Sequence, residues 1–436
     1  FYTPDEVVEG AEVFVLGQHP GKDEEKEGRP FVGATGKVMD EVFLPLAGLE
    51  RGVNVSVGNT FRCRVGGTDK LPTPKVLREA ALHCEAAHLR LPDSTKLVIA
   101  QGAVAWRFTQ LHSQPVKYKG LSIDTWRGHL GPSKWHGQPV LGTLHLADLL
   151  PNRQPRMTLP TKGDWRKVPA ILRGEHPRPF LPRLVVGEVD WTHVVRWFEQ
   201  AHEYAPWIAW DTEYLFEEDN PHNPDNYSLT MVSVGWPGMT EGVQLIWMGG
   251  GCATSQEKSE FVRLFWRLCK AKTHVFHNAK AELRSTHKTW GWDWRTFVGR
   301  FHDTMLAHAV YWSEWPHTLE FLESVYSPYP KVKHLPTTDP LRNWGDTLVT
   351  MAAFEGLQKE WLADPASKTV YETQSLKLVA PCLQREIEGI AVNQSAVEPA
   401  ILAYTAKMEE AVRLAWAYCG WPVNLKSPAQ LKYWLY

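Results

Sequence analysis

Two carboxylates two residues apart close an apolar run, Ile208-Ala209-Trp210-Asp211-Thr212-Glu213. In an extended strand alternate residues share a face, so Asp211 and Glu213 project together and repel unless a divalent cation lies between them. A D-x-E pair alone is common by chance. Two further acids raise its meaning: Glu282, in His277-Asn278-Ala279-Lys280-Ala281-Glu282 after a second short apolar run, and Asp346 at the start of a helical stretch. Four acids converging at strand ends is the arrangement for two-metal phosphodiester hydrolysis. One ion, Mg²⁺ or Mn²⁺, activates water and the other stabilises the leaving oxygen.

A second constellation lies near the N-terminus, where Gly17-Gln18-His19-Pro20-Gly21 and Gly28-Arg29-Pro30-Phe31-Val32-Gly33 follow an apolar run. Glycines at a strand end let a ligand approach backbone N–H groups, and Phe31 behind Pro30 can present a stacking face. From the glycines alone an ordinary strand-to-helix turn is the simpler reading. Between the two constellations, Arg153, Arg156, Lys162, Arg166, Lys167, Arg173, Arg178 and Arg183 face only Asp164 and Glu175, a local surplus of six positive charges. Such a stretch can track phosphates, or it can be a solvated tether.

The elements that position these residues read as two α/β units and a helical end. Apolar runs at Val13–Leu16, Val53–Val57, Leu97–Ala100 and Val140–Leu144 alternate with helical patterns, the pattern of a layered α/β domain with working residues at strand ends. Prolines at 155, 160, 169, 177, 179 and 182 without a clear period mark a linker. A helix over Trp191–Tyr204, a strand at Trp207–Trp210, strands at Leu229–Trp236 and Gly242–Trp247 and a helix over Glu257–Cys269 open the second unit. Thr318–Tyr326, Thr347–Trp361, Ser375–Glu388 and Ser395–Tyr418 then show apolar spacing near 3.6 residues, with a break at Gly389.

Composition narrows the class. The chain has 436 residues, 43% hydrophobic and 22% charged, enough for two or three packed domains. No run reaches the roughly 18 apolar residues of a membrane span, and no signal peptide is visible, so no membrane partner is expected. The six cysteines include no C-x-x-C pair, which argues against a zinc ribbon, a redox motif or a disulfide framework and suits a reducing cytoplasm. Lys plus Arg number 47 against 49 for Asp plus Glu, so any nucleic-acid surface is local. The 21 tryptophans are read as mostly core packing, with some free to stack on bases.

AWDTEY (209–214), HNAKAEL (277–283), HDTMLAHAVYWSEWPHTLEFLESVY (302–326) and NWGDTLVT (343–350) resemble the 3′–5′ proofreading exonuclease domain of family-A DNA polymerases. LQREIEGIAVN (383–393) and NLKSPAQLKYWL (424–435) resemble the start of the thumb of those polymerases. The resemblance implies an RNase H-like fold and metal ligands at Asp211, Glu213, Glu282 and Asp346. Two positions depart from the pattern. The family reads H-N-x-x-F-D where this chain has Ala281-Glu282, lengthening a ligand by one methylene, and Arg342 stands where a tyrosine orients the attacking water. Either the four acids still hold two metals, or the domain is a degenerate exonuclease that holds DNA. Asp303 is read as structural.

The N-terminal region resembles the uracil-DNA glycosylase superfamily, particularly its iron–sulfur branch. The resemblance rests on the glycine-rich first motif, VGNTFRCR (57–64), LVIAQGAVA (97–105) and TLHLADLL (143–150). It implies a pocket for a flipped base, with Phe31 as the stack, Asn59 as the edge reader and His145 as the late histidine. Gln18 stands in the place of the acid, Lys22 in that of a common aspartate, and Leu146-Ala147 replace Pro-Ser. A carboxamide cannot take a proton from water near neutral pH, so base sensing without excision is expected, or a retired fold used for DNA grip. Four cysteines would be needed for the cluster. Cys84 matches one, Ala100 fills the last position and the N-terminal pair is missing, so no cluster is expected.

The expected organisation is a glycosylase-like domain over 1–152, a basic linker over 153–184, an exonuclease-like domain over 185–372 and the start of a polymerase thumb over 373–436. The expected partner is DNA, as primer–template or single strand, with palm and fingers following Tyr436. The start at Phe1 reads as a trimmed or internal piece, and the fusion as phage-like, placing the protein in a host cytoplasm. The alternatives are a freestanding DNA-binding or regulatory protein with both sites inactive, and a bifunctional glycosylase/exonuclease repair enzyme.

Overall fold

Four short runs of valine, leucine and isoleucine form strands Val13–Gly17 (β1), Val55–Asn59 (β2), Leu97–Gln101 (β3) and Val140–Thr143 (β4), all fully buried in the computed structural model. Strands buried on both faces belong in a parallel sheet covered by helices. They pair in the order β2-β1-β3-β4, parallel throughout. The register sets Gly17 beside Asn59 and Gln101 beside Thr143, so all four carboxyl ends finish along one edge. The structure describes residues 2–64, 74–111, 122–216, 227–249 and 253–435.

The second sheet has the order β10-β9-β6-β7-β8-β5, with strands Arg183–Val185 (β5), Trp207–Phe216 (β6), Tyr227–Gly235 (β7), Gly242–Ile246 (β8), Thr273–Phe276 (β9) and Phe301–Asp303 (β10). β7 is antiparallel to both β6 and β8; the other pairs are parallel. β6 runs six residues beyond the expected strand because β7 pairs with it as far as Phe216. Asp211 and Glu213 therefore lie inside β6, just before a register shift between Glu213 and Tyr214. The helix Pro340–Ala363 also begins earlier than its apolar spacing suggests, capped by Asp339 on the Leu341 N–H, so Asp346 sits in its second turn.

The expected linker is corrected. Residues 153–184 contain helices Thr158–Arg166 and Val168–Leu172, and Met157, Trp165, Val168 and Ile171 are part of the first sheet's hydrophobic core. The prolines misled because Pro169 occupies a first helical turn, where no N–H bond is lost. The basic count also misled: Asp164 is fully buried and receives the Arg127 guanidinium at two oxygens, 3.1 and 2.5 Å away. Arg127 Nη1 donates to Ser324 Oγ at 2.7 Å, and Lys167 Nζ donates to the carbonyls of Gly128 and Ser324, both at 2.8 Å. Ser324 lies in the helix Leu319–Tyr326 of the second α/β region, so this cluster ties the two sheets together.

Residues Phe1–Leu383 accordingly form one compact unit and Gln384–Tyr436 another, so the division falls at 383/384, within the helix Val379–Glu388, and not at 373. The second unit holds helices Gln394–Cys419 and Pro428–Leu435; the first ends at Gly420 with φ 71°, and Trp416 Nε1 donates to the Val423 carbonyl at 2.9 Å. Among the described residues no helix is long and apolar enough to cross a membrane. Trp106, Trp135, Trp165, Trp210 and Trp344 are fully buried, which fits the packing role expected for most tryptophans.

Removing one partner of a buried ion pair strands the other charge. Arg127→Met is expected to destabilise the first unit by ~3–5 kcal/mol in urea unfolding, and Arg127→Met with Asp164→Leu by clearly less. Equal losses in the two proteins would show that the pairing is not what matters there.

Candidate functional site

The carboxyl edge of the first sheet assembles four of the residues singled out from sequence. Gly17 ends β1, and a Cβ added there would lie 2.5 Å from Phe31 Cζ and 2.6 Å from Asn59 Oδ1. Only glycine lets that ring and that amide close over the strand end. Phe31 itself is held at φ 54°, a left-handed conformation that non-glycine residues avoid. Arg51 secures it: Nη1 donates to the Phe31 carbonyl at 2.7 Å, Nη2 to the Pro30 carbonyl, and Nε pairs with Glu6 at 2.7 Å. Gly36 is required as well, since a Cβ there would meet the Phe31 carbonyl oxygen at 1.7 Å.

The two glycine loops are pinned by one acid. Glu24 accepts from the backbone N–H of Gly21 at 2.8 Å and of Gly33 at 3.2 Å. Gln18 is half-buried at the mouth, with its carbonyl accepting from Phe61 N–H at 3.0 Å. His145 follows β4, and its Nδ1 accepts from the Ala147 N–H at 3.2 Å, which leaves the proton on Nε2. Burial lowers the imidazole below its ordinary range, so His145 is a neutral N–H donor. Phe31 and Asn59 are buried at this edge, 6% and 4% exposed, and the ring packs into the first sheet's core. The Gln18 position supplies no carboxylate.

In the second sheet, Asp211, Glu213 and Asp346 each bring a carboxylate oxygen within 4.8 Å of the others. Asn343, one turn before Asp346, fixes Asp211 by donating to its carbonyl at 3.0 Å and to Oδ2 at 2.9 Å. Glu282 is buried on the helix Ala279–Trp290 but stands outside that group of three. Burial, then the charges of Asp346 and Glu213, push the Asp211 carboxyl well above its usual range; burial and Asp346 raise Glu213 to about 7. Burial, then Asp211, raises Glu282. Crowded acids of this kind fit a divalent cation, and Asp346 Oδ1 and Glu282 Oε2 are buried without a hydrogen-bond partner. Asp303 accepts from the N–H groups of Asn278, Ala279, Met305 and Leu306 at 2.8–3.3 Å, a structural use of its carboxylate.

Sequence reasoning missed Lys333. Its Nζ lies 2.5 Å from Asp346 Oδ2, while Arg342 Nε stands 3.4 Å from Glu213 Oε1 and 4.0 Å from Asp346 Oδ2. Burial works against the Lys333 ammonium, but the charges of Asp346 and Asp211 outweigh it and raise it. A single lysine in the loop 327–339 carries no periodicity or spacing that could have flagged it. Of the basic residues expected on DNA, Lys167 is corrected, because its ammonium is committed to two carbonyls. Arg153 pairs with Asp148 at 3.1 Å and Arg173 with Glu175 at 2.8 Å; Arg156 and Arg166 are exposed and Lys162 half-buried.

The Uracil DNA glycosylase superfamily model matches residues 4–181. A type-4 uracil-DNA glycosylase of Thermotoga maritima is 33% identical over 166 residues, covering 37% of this chain and 79% of that protein. Through this region the chain belongs to the uracil DNA glycosylase superfamily. The matched range runs to 181, so helices Thr158–Arg166 and Val168–Leu172 lie within the superfamily domain. An iron–sulfur cluster does not fit it: four thiolates are required, residues 4–181 contain only Cys63 and Cys84, and Ala100 is buried inside β3. Among solved structures, the chain is similar to the POL domain of Pol1 from M. smegmatis in complex with DNA primer-template and dNTP (TM-score 0.41, 19% identity, 58% of this chain and 40% of that one). It is also similar to Escherichia coli RNase D (TM-score 0.34, 11% identity, 48% and 51%).

Glu24→Ala removes two charge-assisted bonds and frees both glycine loops. It is expected to lower stability by ~1–3 kcal/mol and to speed hydrogen exchange at the Gly21 and Gly33 amides. Unchanged exchange at both amides would contradict this role.

Proposed function

We propose that this chain is the N-terminal part of a family-A DNA polymerase, in which the superfamily domain holds a base without excising it and the Asp211 cluster is a 3′–5′ exonuclease-type centre of reduced rate. The observation that carries the reading is the convergence of Asp211, Glu213 and Asp346 within 4.8 Å, on motifs that follow one another as in that exonuclease domain. Asp211, Glu213 and Asp346 would hold a divalent cation, Mg²⁺ or Mn²⁺, which when bound supplies positive charge to a scissile phosphate. Asn343 orients Asp211, and Arg342 replaces the tyrosine that would position water. Losing that group and lengthening the ligand at Glu282 both lower the rate. DNA is the substrate and partner, as primer–template or single strand, with Arg153, Arg156, Lys162, Arg166 and Arg173 toward phosphates. Polymerisation belongs to palm and fingers beyond this chain, in a cytoplasmic setting.

In the first domain Phe31 stacks on the base, Asn59 reads its polar edge and His145 donates Nε2–H. Excision needs a group at Gln18 that can take a proton or stabilise a developing cation, and a carboxamide does neither. This disfavours the bifunctional repair enzyme.

A 3′-labelled single strand incubated with Mn²⁺ is expected to shorten slowly, and Asp211→Ala to reduce the rate at least about a hundredfold. A wild-type strand that stays full length would refute the exonuclease reading. Glu282→Asp with Arg342→Tyr should speed the reaction. For the pocket, a uracil-containing strand should bind more tightly than its plain counterpart, release no free uracil, and lose ~1–3 kcal/mol of affinity in Phe31→Ala. Equal affinities for the two strands would remove base sensing.

A further inference from the structure

In the group of three carboxylates a cation or an amide stands against one oxygen of each. Asp211 Oδ2 accepts from Asn343 Nδ2 at 2.9 Å, Glu213 Oε1 faces Arg342 Nε at 3.4 Å, and Asp346 Oδ2 holds Lys333 Nζ at 2.5 Å. Arg342 Nε makes no hydrogen bond there, so it neutralises the Glu213 oxygen without blocking it. Asp346 is 2% exposed, and its remaining Oδ1 has no hydrogen-bond partner. Three carboxylate oxygens, completed by water or substrate, suit the first shell of one hard divalent cation. Glu282 Oε2, buried and without a hydrogen-bond partner, is a further carboxylate oxygen outside that group of three, so the number of ions is set by charge and not by ligand count.

Charge gives the count. Asp211, Glu213, Glu282 and Asp346 carry four negative charges when ionised, and Lys333 and Arg342 return two. The remainder is the charge of one divalent ion. At the separations seen here, another doubly charged ion would be repelled by the half-buried Lys333 ammonium, in surroundings where such a contact is worth several kcal/mol.

We infer that this centre takes a single divalent cation, and that Lys333, assisted by Arg342, occupies the role of the second metal as a built-in positive charge. The inference rests on the exonuclease-type reading of the site and deepens it. A fixed ammonium supplies charge without an exchangeable water, so it can neutralise phosphate but cannot generate a nucleophile.

The test counts ions and does not depend on cleavage. Mn²⁺ is titrated into the full chain and bound ions are counted from the electron paramagnetic resonance of free Mn²⁺. The wild type is expected to bind one ion per chain, Lys333→Arg one, and Lys333→Met two, with the first ion at least about tenfold tighter than in the wild type. Two ions in the wild type would overturn the inference and leave the exonuclease reading standing; none would overturn both. One ion in a folded Lys333→Met protein would also overturn it. Should that variant fail to fold, the wild-type count still decides.

Discussion

The first unit depends on a buried charge arrangement that neither sheet could satisfy alone. Asp164 sits without solvent contact on a helix of the glycosylase-type domain, and burial raises its carboxyl to about 6 despite Arg127 and Lys167 beside it. Those two cations complete their hydrogen bonding on Ser324, across the chain. Separating the two regions would leave Arg127 its Asp164 bonds and Lys167 its Gly128 bond but remove the Ser324 bonds of both cations. The same interface includes Trp315 Nε1 donating to the Arg156 carbonyl and the Arg178 N–H donating to the Pro328 carbonyl. The Gly17 edge of the first sheet and the carboxylate cluster of the second are thus carried on one body.

The two sites obey opposite electrostatic rules. At the edge of the first sheet the working groups are neutral: an aromatic ring, two carboxamides and an imidazole whose proton stays on Nε2. In the proposed base-holding role, selectivity there would be a matter of shape and hydrogen-bond direction. In the second sheet like charges are forced together by β6 and the helix Pro340–Ala363, and the repulsion is relieved by cations. Lys333 and Arg342 come from the loop before that helix and from its first turn, so the relief is built into the same segment that delivers Asp346.

Much of this was legible in the residues. The buried runs of the first sheet announce themselves by continuous Val, Leu and Ile, and Trp191–Tyr204 by its helical spacing, since burial imposes a pattern that composition records. Asp211, Glu213 and Asp346 were legible because strand period and motif order constrain them. The segment after Pro151 was not. Proline in a first helical turn looks the same in a one-dimensional reading as proline in a tether, and a buried aspartate counts the same as a solvated one. Lys333 was invisible for a related reason: its partners are defined by a fold, and a loop lysine has no spacing to betray it. Glu282 was counted among four converging acids, yet it stands on the helix Ala279–Trp290 outside the close group.

Phe31 shows what such a fold prepares in advance. Its backbone lies in a region that L-residues enter only under constraint, and Arg51, Gly36 and Pro30 all act on the peptide groups around it and leave its side chain to close over Gly17. The constraint is imposed when the domain folds, before any DNA arrives. In the proposed base-holding role, the buried ring would offer an orientation already decided, with little rotational freedom left to lose on contact. A ring fixed in this way would discriminate through fit, and a base of the wrong outline would not be accommodated by its movement.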